Sequence, residues 1–245
     1  MGIKMTLFNR IKYFKEGLVQ NIKTTDEILW AEIFNSTIRG SEWFMESISP
    51  GRWAVGYPFL YVLYRILDEV RPDTILELGL GQSSKLTCSY AKFYRNNNII
   101  HYIIEHDEAW RDFFTGGNEK LFSDTDSKVQ IISLENVEYE MSSVTRYKNF
   151  YKTLPDEKWN LVLVDAPYGS DIYSRIDVLD LIPQNLSNVF AILFDDCERE
   201  GEFNTCERVK EKLSVNNISW HEGIYSGKKE VKIIVSDDLK FLCSL

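Results

Sequence analysis

Thr74-Ile-Leu-Glu-Leu-Gly-Leu-Gly-Gln-Ser-Ser-Lys85 decides how this chain folds. An apolar, β-type run carrying the acidic Glu77 gives way to Gly79 and Gly81, then to Ser83 and Ser84, hydroxyl residues able to open a helix. Glycine lets a backbone turn tightly and pass close to a ligand, and the first turn of a helix presents N–H groups without intrahelical partners. That order of residues describes the first strand, loop and helix of a nucleotide-binding α/β unit. A Gly-x-Gly turn alone is common. Its weight comes from a second acidic strand end one βαβ unit later, in Ile103-Ile-Glu-His-Asp107, where an acidic side chain can take both hydroxyls of a ribose.

Composition sets the frame. The 245 residues are 44% apolar and 27% charged, which is the balance of a globular chain with a full core. A net charge of −9 opposes binding to nucleic acid, which needs a basic stripe against the phosphates. Lys4, Arg10, Lys12 and Lys15 cluster locally and read as a solvated helix face. Cys88, Cys197, Cys206 and Cys243 form no Cys-x-x-Cys pair and read as reduced thiols of a cytoplasmic protein. The start has no secretory apolar core, and its Gly2 with Thr6 fits only the short, loose myristoylation pattern. No apolar run approaches the ~20 residues of a membrane span.

Two regions are expected. Residues 1–70 read as a helical extension: Phe8, Ile11, Phe14, Leu18 and Ile22 recur at helical spacing, and Thr25 or Asp26 caps a second helix to about Ile38. After the aromatic loop Ser49–Pro58, a third helix runs from about Phe59 to Val70. Residues 71–245 then alternate. Strands are expected near 74–79, 100–106, 129–134, 160–165 and 189–195, with helices near 84–95, 107–114, 143–152, 172–182 and 202–216. The apolar runs Leu161-Val-Leu-Val164 and Phe190-Ala-Ile-Leu-Phe194 are continuous, as in parallel strands covered on both faces. Ile218–Tyr225 and Val231–Val235 read as a hairpin around Gly227. The expected fold is α/β and Rossmann-like: a seven-stranded sheet, mostly parallel, with an antiparallel C-terminal hairpin and helices on both faces.

Ligands of such sheets lie beyond the carboxyl ends of the strands. The candidates are therefore Glu77, Gly79, Gly81, Ser83 and Ser84 at the first strand, and Glu105, His106 and Asp107 at the second. Glu135 follows the third, Asp165 the fourth, and Asp195 with Asp196 the fifth. Glu105 or Asp107 would accept from the ribose, with position favouring Glu105. Glu135 or Asn136 would stand near the base. Asp165, Asp195 and Asp196 would repel one another unless something positive lies between them. A hard divalent cation such as Mg2+ resolves this, or one carboxylate is a general base and no metal binds; both readings stay open. His106 and His221 are the other candidate bases. Arg199 could orient an anionic acceptor, and Trp53, Tyr57 and Tyr168 could wall a sugar face.

Across about residues 72–200 the chain resembles class I S-adenosylmethionine-dependent methyltransferases, and among them the polysaccharide O-methyltransferases that act on glucuronic acid of xylan. The resemblance rests on Gly79-Leu-Gly-Gln-Ser-Ser84, Glu105-His-Asp-Glu-Ala-Trp110 and Trp159-Asn-Leu-Val-Leu-Val-Asp-Ala-Pro-Tyr-Gly169, with Phe194-Asp-Asp-Cys-Glu-Arg199 a looser match. It implies S-adenosyl-L-methionine as cofactor, held by Gly79, Gly81 and Glu105, with Asp165 and Asp195 or Asp196 at a sugar or surface-polysaccharide acceptor. Asp165 and the Asp195-Asp196 pair also look like the metal carboxylates of catechol-type O-methyltransferases, where the second residue of the pair is usually Asn. Residues 1–70 are then expected to cover the acceptor, and such enzymes often pair as homodimers through N-terminal helices. The competing classes are an NAD-dependent oxidoreductase, against which Ser84 replaces the third glycine of Gly-x-Gly-x-x-Gly, and a non-enzymatic Rossmann-like binding module.

Overall fold

The computed structural model describes residues 7–51, 53–123 and 125–245; the side chains of 7–11, 13 and 14 also lie outside the description. The readings placed on Gly2, Lys4 and Thr6, and on the side chains of Phe8, Arg10, Ile11 and Phe14, therefore fall outside the described residues.

The first two helices expected in the extension are one: α1 runs unbroken over Leu7–Ile38. Thr25 does not cap anything. Its hydroxyl donates to the carbonyl of Asn21, as that of Thr24 does to Gln20, so both are absorbed within the turn before them. Leu18 and Ile22 are about half exposed, and the face that packs carries Glu27, Trp30 and Phe34. No described helix is long and apolar enough to cross a membrane.

Helix α2 (Tyr57–Arg65) continues into a π-helical turn, Ile66–Val70, and the chain then enters the sheet. Its strands are β1 (Thr74–Leu78), β2 (Ile100–Glu105), β3 (Lys128–Ile131), β6 (Trp159–Val164), β7 (Leu186–Phe194), β8 (His221–Ser226) and β9 (Glu230–Val235), in the order β3-β2-β1-β6-β7-β9-β8. Strands β1, β2, β3, β6 and β7 pair in parallel, while β9 runs antiparallel to both β7 and β8. This is the expected seven-stranded layout with its terminal hairpin.

Alternate residues of each strand face opposite layers. Ile75, Leu161, Leu163, Leu193 and Ile233 pack with α2 and with α3 (Ser83–Phe93). Leu76, Leu78, Val162, Val164, Ile192 and Ile234 pack the other way, against Cys206, Val209 and Leu213 of α7 (Glu200–Val215). Between β2 and β3 lie α4 (Glu108–Gly117) and the short α5 (Glu119–Phe122).

One expected helix is absent. Instead of a helix at 143–152, β4 (Leu134–Tyr139) and β5 (Ser142–Tyr147) form a separate antiparallel pair, with only the single turn α6 (Phe150–Thr153) behind it. Glu140 and Met141 make the turn with φ of +47° and +64°, the two left-handed residues of a tight hairpin. Neither is the Asn-Gly that marks such turns in sequence. The expected helix at 172–182 is reduced to a 3₁₀ segment, Ile176–Leu181.

Candidate functional site

Strand register brings the site together. Leu78 pairs with Ile104 on one side and Val164 on the other, and Val164 pairs with Phe194. The residues that follow these strands, Gly79, Glu105, Asp165 and Asp195, therefore meet at one edge of the sheet. The main chain stitches that edge: Gly79 N donates to Ile104 O, Asp165 N to Leu78 O and Asp195 N to Val164 O, at 2.9, 3.1 and 3.2 Å. The order in which strands join the sheet reverses between β1 and β6, and a cleft of about 610 Å³ opens there.

The floor of the cleft is the glycine loop, residues 79–82. Gly79 has φ +105°, and a Cβ on it would stand 3.0 Å from the Ala166 Cβ. Gly79→Ala is expected to cost about 1–3 kcal/mol, the range for a side chain forced into such backbone, and urea unfolding reads it directly. An unchanged midpoint would mean that the loop relaxes freely. Ser49, Gly51 and Trp53–Val55 line the cleft beside the loop, with Ser49 N donating to Gln82 Oε1 at 3.0 Å and Lys85 Nζ to Ser47 O at 2.9 Å.

Glu105, His106 and Asp107 form one wall. The Glu105 carboxylate accepts from the amides of Leu80, His106 and Asp107 at 3.1, 2.6 and 2.9 Å, and His106 Nδ1 lies 2.9 Å from it. Burial pushes its pKa up, but the His106 ring and these amides hold it below the usual carboxylate range. Glu105 thus ties the end of β2 to the glycine loop while lining the cleft. Asp107 caps α4 by accepting from Trp110 N at 3.0 Å, and the Trp110 indole donates back to Leu80 O at 2.7 Å.

The opposite wall carries the charge. Asp165, Asp195 and Asp196 each place an oxygen within 4.8 Å of the others. Burial, reinforced by Asp195, pushes Asp165 up to about 8, and burial pushes Asp195 up to about 6 against the pull of Lys229. Burial acts on Asp196 too, but Arg175 and Lys229 outweigh it and hold it below the usual range. Arg175 is buried with φ +59°, and its Nη2 lies 2.9 Å from Asp196 Oδ2 and 3.5 Å from Asp165 Oδ1. Its Nη1 donates to the carbonyls of Asp195 and Val164 at 2.9 and 3.3 Å. Lys229 Nζ stands 2.8 Å from Asp195 Oδ2 and 3.0 Å from Asp196 Oδ1, and Arg199 Nη1 is 3.1 Å from Asp196 Oδ2.

These cations decide whether the carboxylates suit a divalent ion. Two unit charges 4 Å apart interact by about 4 kcal/mol at the dielectric of a protein surface, so at such a distance a dication would lose to each neighbouring cation about what it gains from each carboxylate. Arginine cannot relieve this by losing a proton. Three cations already stand against the three carboxylates, so the chain itself supplies positive charge to the cluster.

Of the sequence candidates, Gly79, Gly81, Glu105, His106, Asp107, Asp165 and Asp196 line the cleft, as do Arg199, Trp53 and Tyr168. Five do not. Glu77 turns to the other side of β1, where its carboxylate accepts from Ser83 and Thr87 at 2.5 and 3.0 Å and lies 3.6 Å from the His101 ring. Ser83 is spent on that contact, and Ser84 on accepting from Gly81 N at 3.0 Å. Glu135 sits opposite Arg146 in the β4–β5 pair and Asn136 bonds Thr145, because the segment after β3 forms a hairpin and leaves the cleft edge. Asp195 is fully buried beneath the cleft, and Asp196, itself only 3% exposed, is the one of the pair that lines it. Tyr57 packs on Phe34, and His221 pairs with Asp237 at 2.9 Å outside the cleft.

Sequence reasoning missed Arg175 and Lys229, which also line the cleft. Lys229 had a usable signal. In a hairpin antiparallel to β7, the first residues of the last strand must lie beside the carboxyl end of β7. Arg175, in an irregular stretch, had none.

No protein-family model matches this chain. No curated protein matches it either. Several solved structures are similar. An O-methyltransferase from Bacillus cereus in complex with S-adenosylhomocysteine is 13% identical, with 86% of this chain and 91% of that one covered at a TM-score of 0.48. An S-adenosylhomocysteine-bound methyltransferase from Podospora anserina is 16% identical over 97% and 100% of the two chains, with a TM-score of 0.43. A methyltransferase from Pyrococcus furiosus is 12% identical over 85% and 96%, with a TM-score of 0.46.

Proposed function

We propose that this chain is an S-adenosylmethionine-dependent methyltransferase that methylates a hydroxyl of a sugar or surface-polysaccharide precursor. One observation carries the reading: an acidic strand end, Glu105, and a proton-accepting carboxylate, Asp165, face the same cleft from either side of a glycine loop. The cofactor supplies a methyl group on a positively charged sulfur. Glu105 or Asp107 would hold the ribose hydroxyls, and the glycine loop would hold the methionine portion. Asp165 would accept the proton of the acceptor hydroxyl as that oxygen bonded to the methyl carbon, the sulfur–methyl bond breaking to leave neutral S-adenosylhomocysteine. A carboxylate raised to about 8 is well matched to this work, because a base is most effective when its pKa is near the working pH. Trp53 and Tyr168, both well exposed at the rim, offer flat faces for a sugar ring.

Calorimetric titration with S-adenosylhomocysteine, beside NAD, tests the reading. Micromolar binding of the first and none of the second is expected. Binding of NAD alone would replace it with a dehydrogenase, and silence from both would favour a non-enzymatic module. In the same assay Glu105→Ala is expected to lose about 1.5–3 kcal/mol of affinity, the scale of a hydrogen bond to a charged group. Unchanged affinity would give the ribose to Asp107.

A further inference from the structure

We propose that the Lys229 ammonium, braced by Arg175, is the resident cation of the Asp165–Asp195–Asp196 cluster and occupies the role of a divalent ion there. Four of the six carboxylate oxygens lie within ion-pair distance of a cation. Asp196 uses Oδ2 for Arg175 and Arg199 and Oδ1 for Lys229, while Asp195 uses Oδ2 for Lys229 and Asp165 uses Oδ1 for Arg175. Asp165 Oδ2 and Asp195 Oδ1 remain. A divalent ion seated on these two oxygens would lie beside Lys229 and Arg175, which already hold the other oxygens of the cluster.

Lys229 is also placed too firmly to be a surface lysine that happens to lean inward. Four main-chain hydrogen bonds fix its turn. Gly227 N donates to Lys229 O at 2.9 Å, Lys228 N to Glu27 Oε2 at 2.8 Å, Glu230 N to Glu198 Oε2 at 2.7 Å, and Cys197 N to Glu230 O at 2.8 Å. The Glu27 tether comes from α1, and the same carboxylate accepts from Tyr57 N at 2.9 Å. Helix α1 therefore sets the position of the cation as well as the segment that lines the cleft.

An ammonium has three N–H groups. Asp195 Oδ2 takes one at 2.8 Å and Asp196 Oδ1 stands 3.0 Å from the nitrogen, and because Lys229 lines the cleft its remaining donor capacity is available to what the cleft holds. A hydroxyl oxygen that gains negative charge as it loses its proton to Asp165 is the ligand such a donor suits. This last step rests on the methyltransferase reading; the exclusion of a metal does not.

Manganese(II) titration followed by electron paramagnetic resonance of the free ion tests the proposal without turnover. Wild-type protein is expected to leave the free-ion signal as it is in buffer at micromolar ion. Lys229→Ala is expected to bind the ion at least tenfold more tightly than wild type, and adding Asp195→Asn to it is expected to remove the gain. Lys229→Gln, which retains a donor, is run alongside to provide a folded variant. Micromolar binding to wild type would overturn the proposal, and so would the absence of any gain in both Lys229 variants. S-adenosylhomocysteine titrated into the same samples reports separately on the methyltransferase reading, since ion binding needs no cofactor.

Discussion

Arg175→Met is expected to destabilise the protein by about 3–5 kcal/mol, the cost of leaving buried charges without their partner. Arg175 is 4% exposed and touches three carboxylates, those of Asp165, Asp196 and Glu202, besides donating to two main-chain carbonyls. Methionine fills a similar volume but answers none of them. Asp196 suffers most, because Arg175 and Lys229 together keep its carboxyl ionised in spite of burial. Arg175→Lys is expected to recover only a minor part, since one ammonium cannot span the fork that reaches both the Asp195 carbonyl and the Asp196 carboxylate. The loss should shrink in acid, where the orphaned carboxylates take up protons. Urea unfolding at pH 5 and pH 8 measures both statements. A loss below about 1 kcal/mol at pH 8 would mean that Lys229 and Arg199 suffice to neutralise the cluster.

Asp165→Asn is expected to slow methyl transfer by a factor of about 10²–10⁴, the contribution of a positioned general base, while affinity for S-adenosylhomocysteine stays within about tenfold. The same substitution is expected to stabilise the fold at alkaline pH. Burial raises Asp165 to about 8, so the folded state binds this proton more tightly than the unfolded chain does. The group's contribution is fully present below the ordinary carboxylate pKa of about 4 and is lost as pH climbs through 8. Asparagine has no proton to lose. The two proteins should therefore diverge across that window, with the variant ahead by about 1–3 kcal/mol at pH 8, well under the full conversion of the shift because the side chain is 23% exposed. For a domain of this size that corresponds to roughly 2–10 °C in melting temperature. A variant that melts earlier than wild type at pH 8 would make Asp165 an ionised structural partner of Arg175, and the assignment of the base would fail. The acid-side melts act as an internal control, because below pH 4 the two should coincide.

The sheet was readable because buried parallel strands declare themselves. Leu161-Val-Leu-Val164 and Phe190-Ala-Ile-Leu-Phe194 are apolar at every position, as strands with a layer on each face must be, and both lie in the strands expected. The β4–β5 hairpin was not readable. It stands apart from the sheet, its turn residues Glu140 and Met141 carry no turn signature, and Val144 and Tyr147 sit three apart, a spacing that mimics a helix. The division of α1 failed for a similar reason: threonine looks like a cap in sequence, but a hydroxyl can equally bond back to the preceding turn.

The sequence alone determined where the cleft lies and which acidic residues end the strands around it, since the carboxyl edge of a parallel sheet follows from chain direction. It could not say which way each side chain turns. Glu77 and Glu105 both belong to acidic strand termini, yet one is buried behind β1 against Ser83 and Thr87 and the other lines the cleft. Nor could it supply the cations. Lys229 meets Asp195 across 34 residues and Arg175 meets Asp196 across 21, contacts made only when β9 docks antiparallel on β7 and the loop after β6 folds beneath it. Backbone periodicity is written locally and can be read locally; the electrostatic balance of a buried site is a sum over distant segments, and only the packed structure brings those charges within reach of one another.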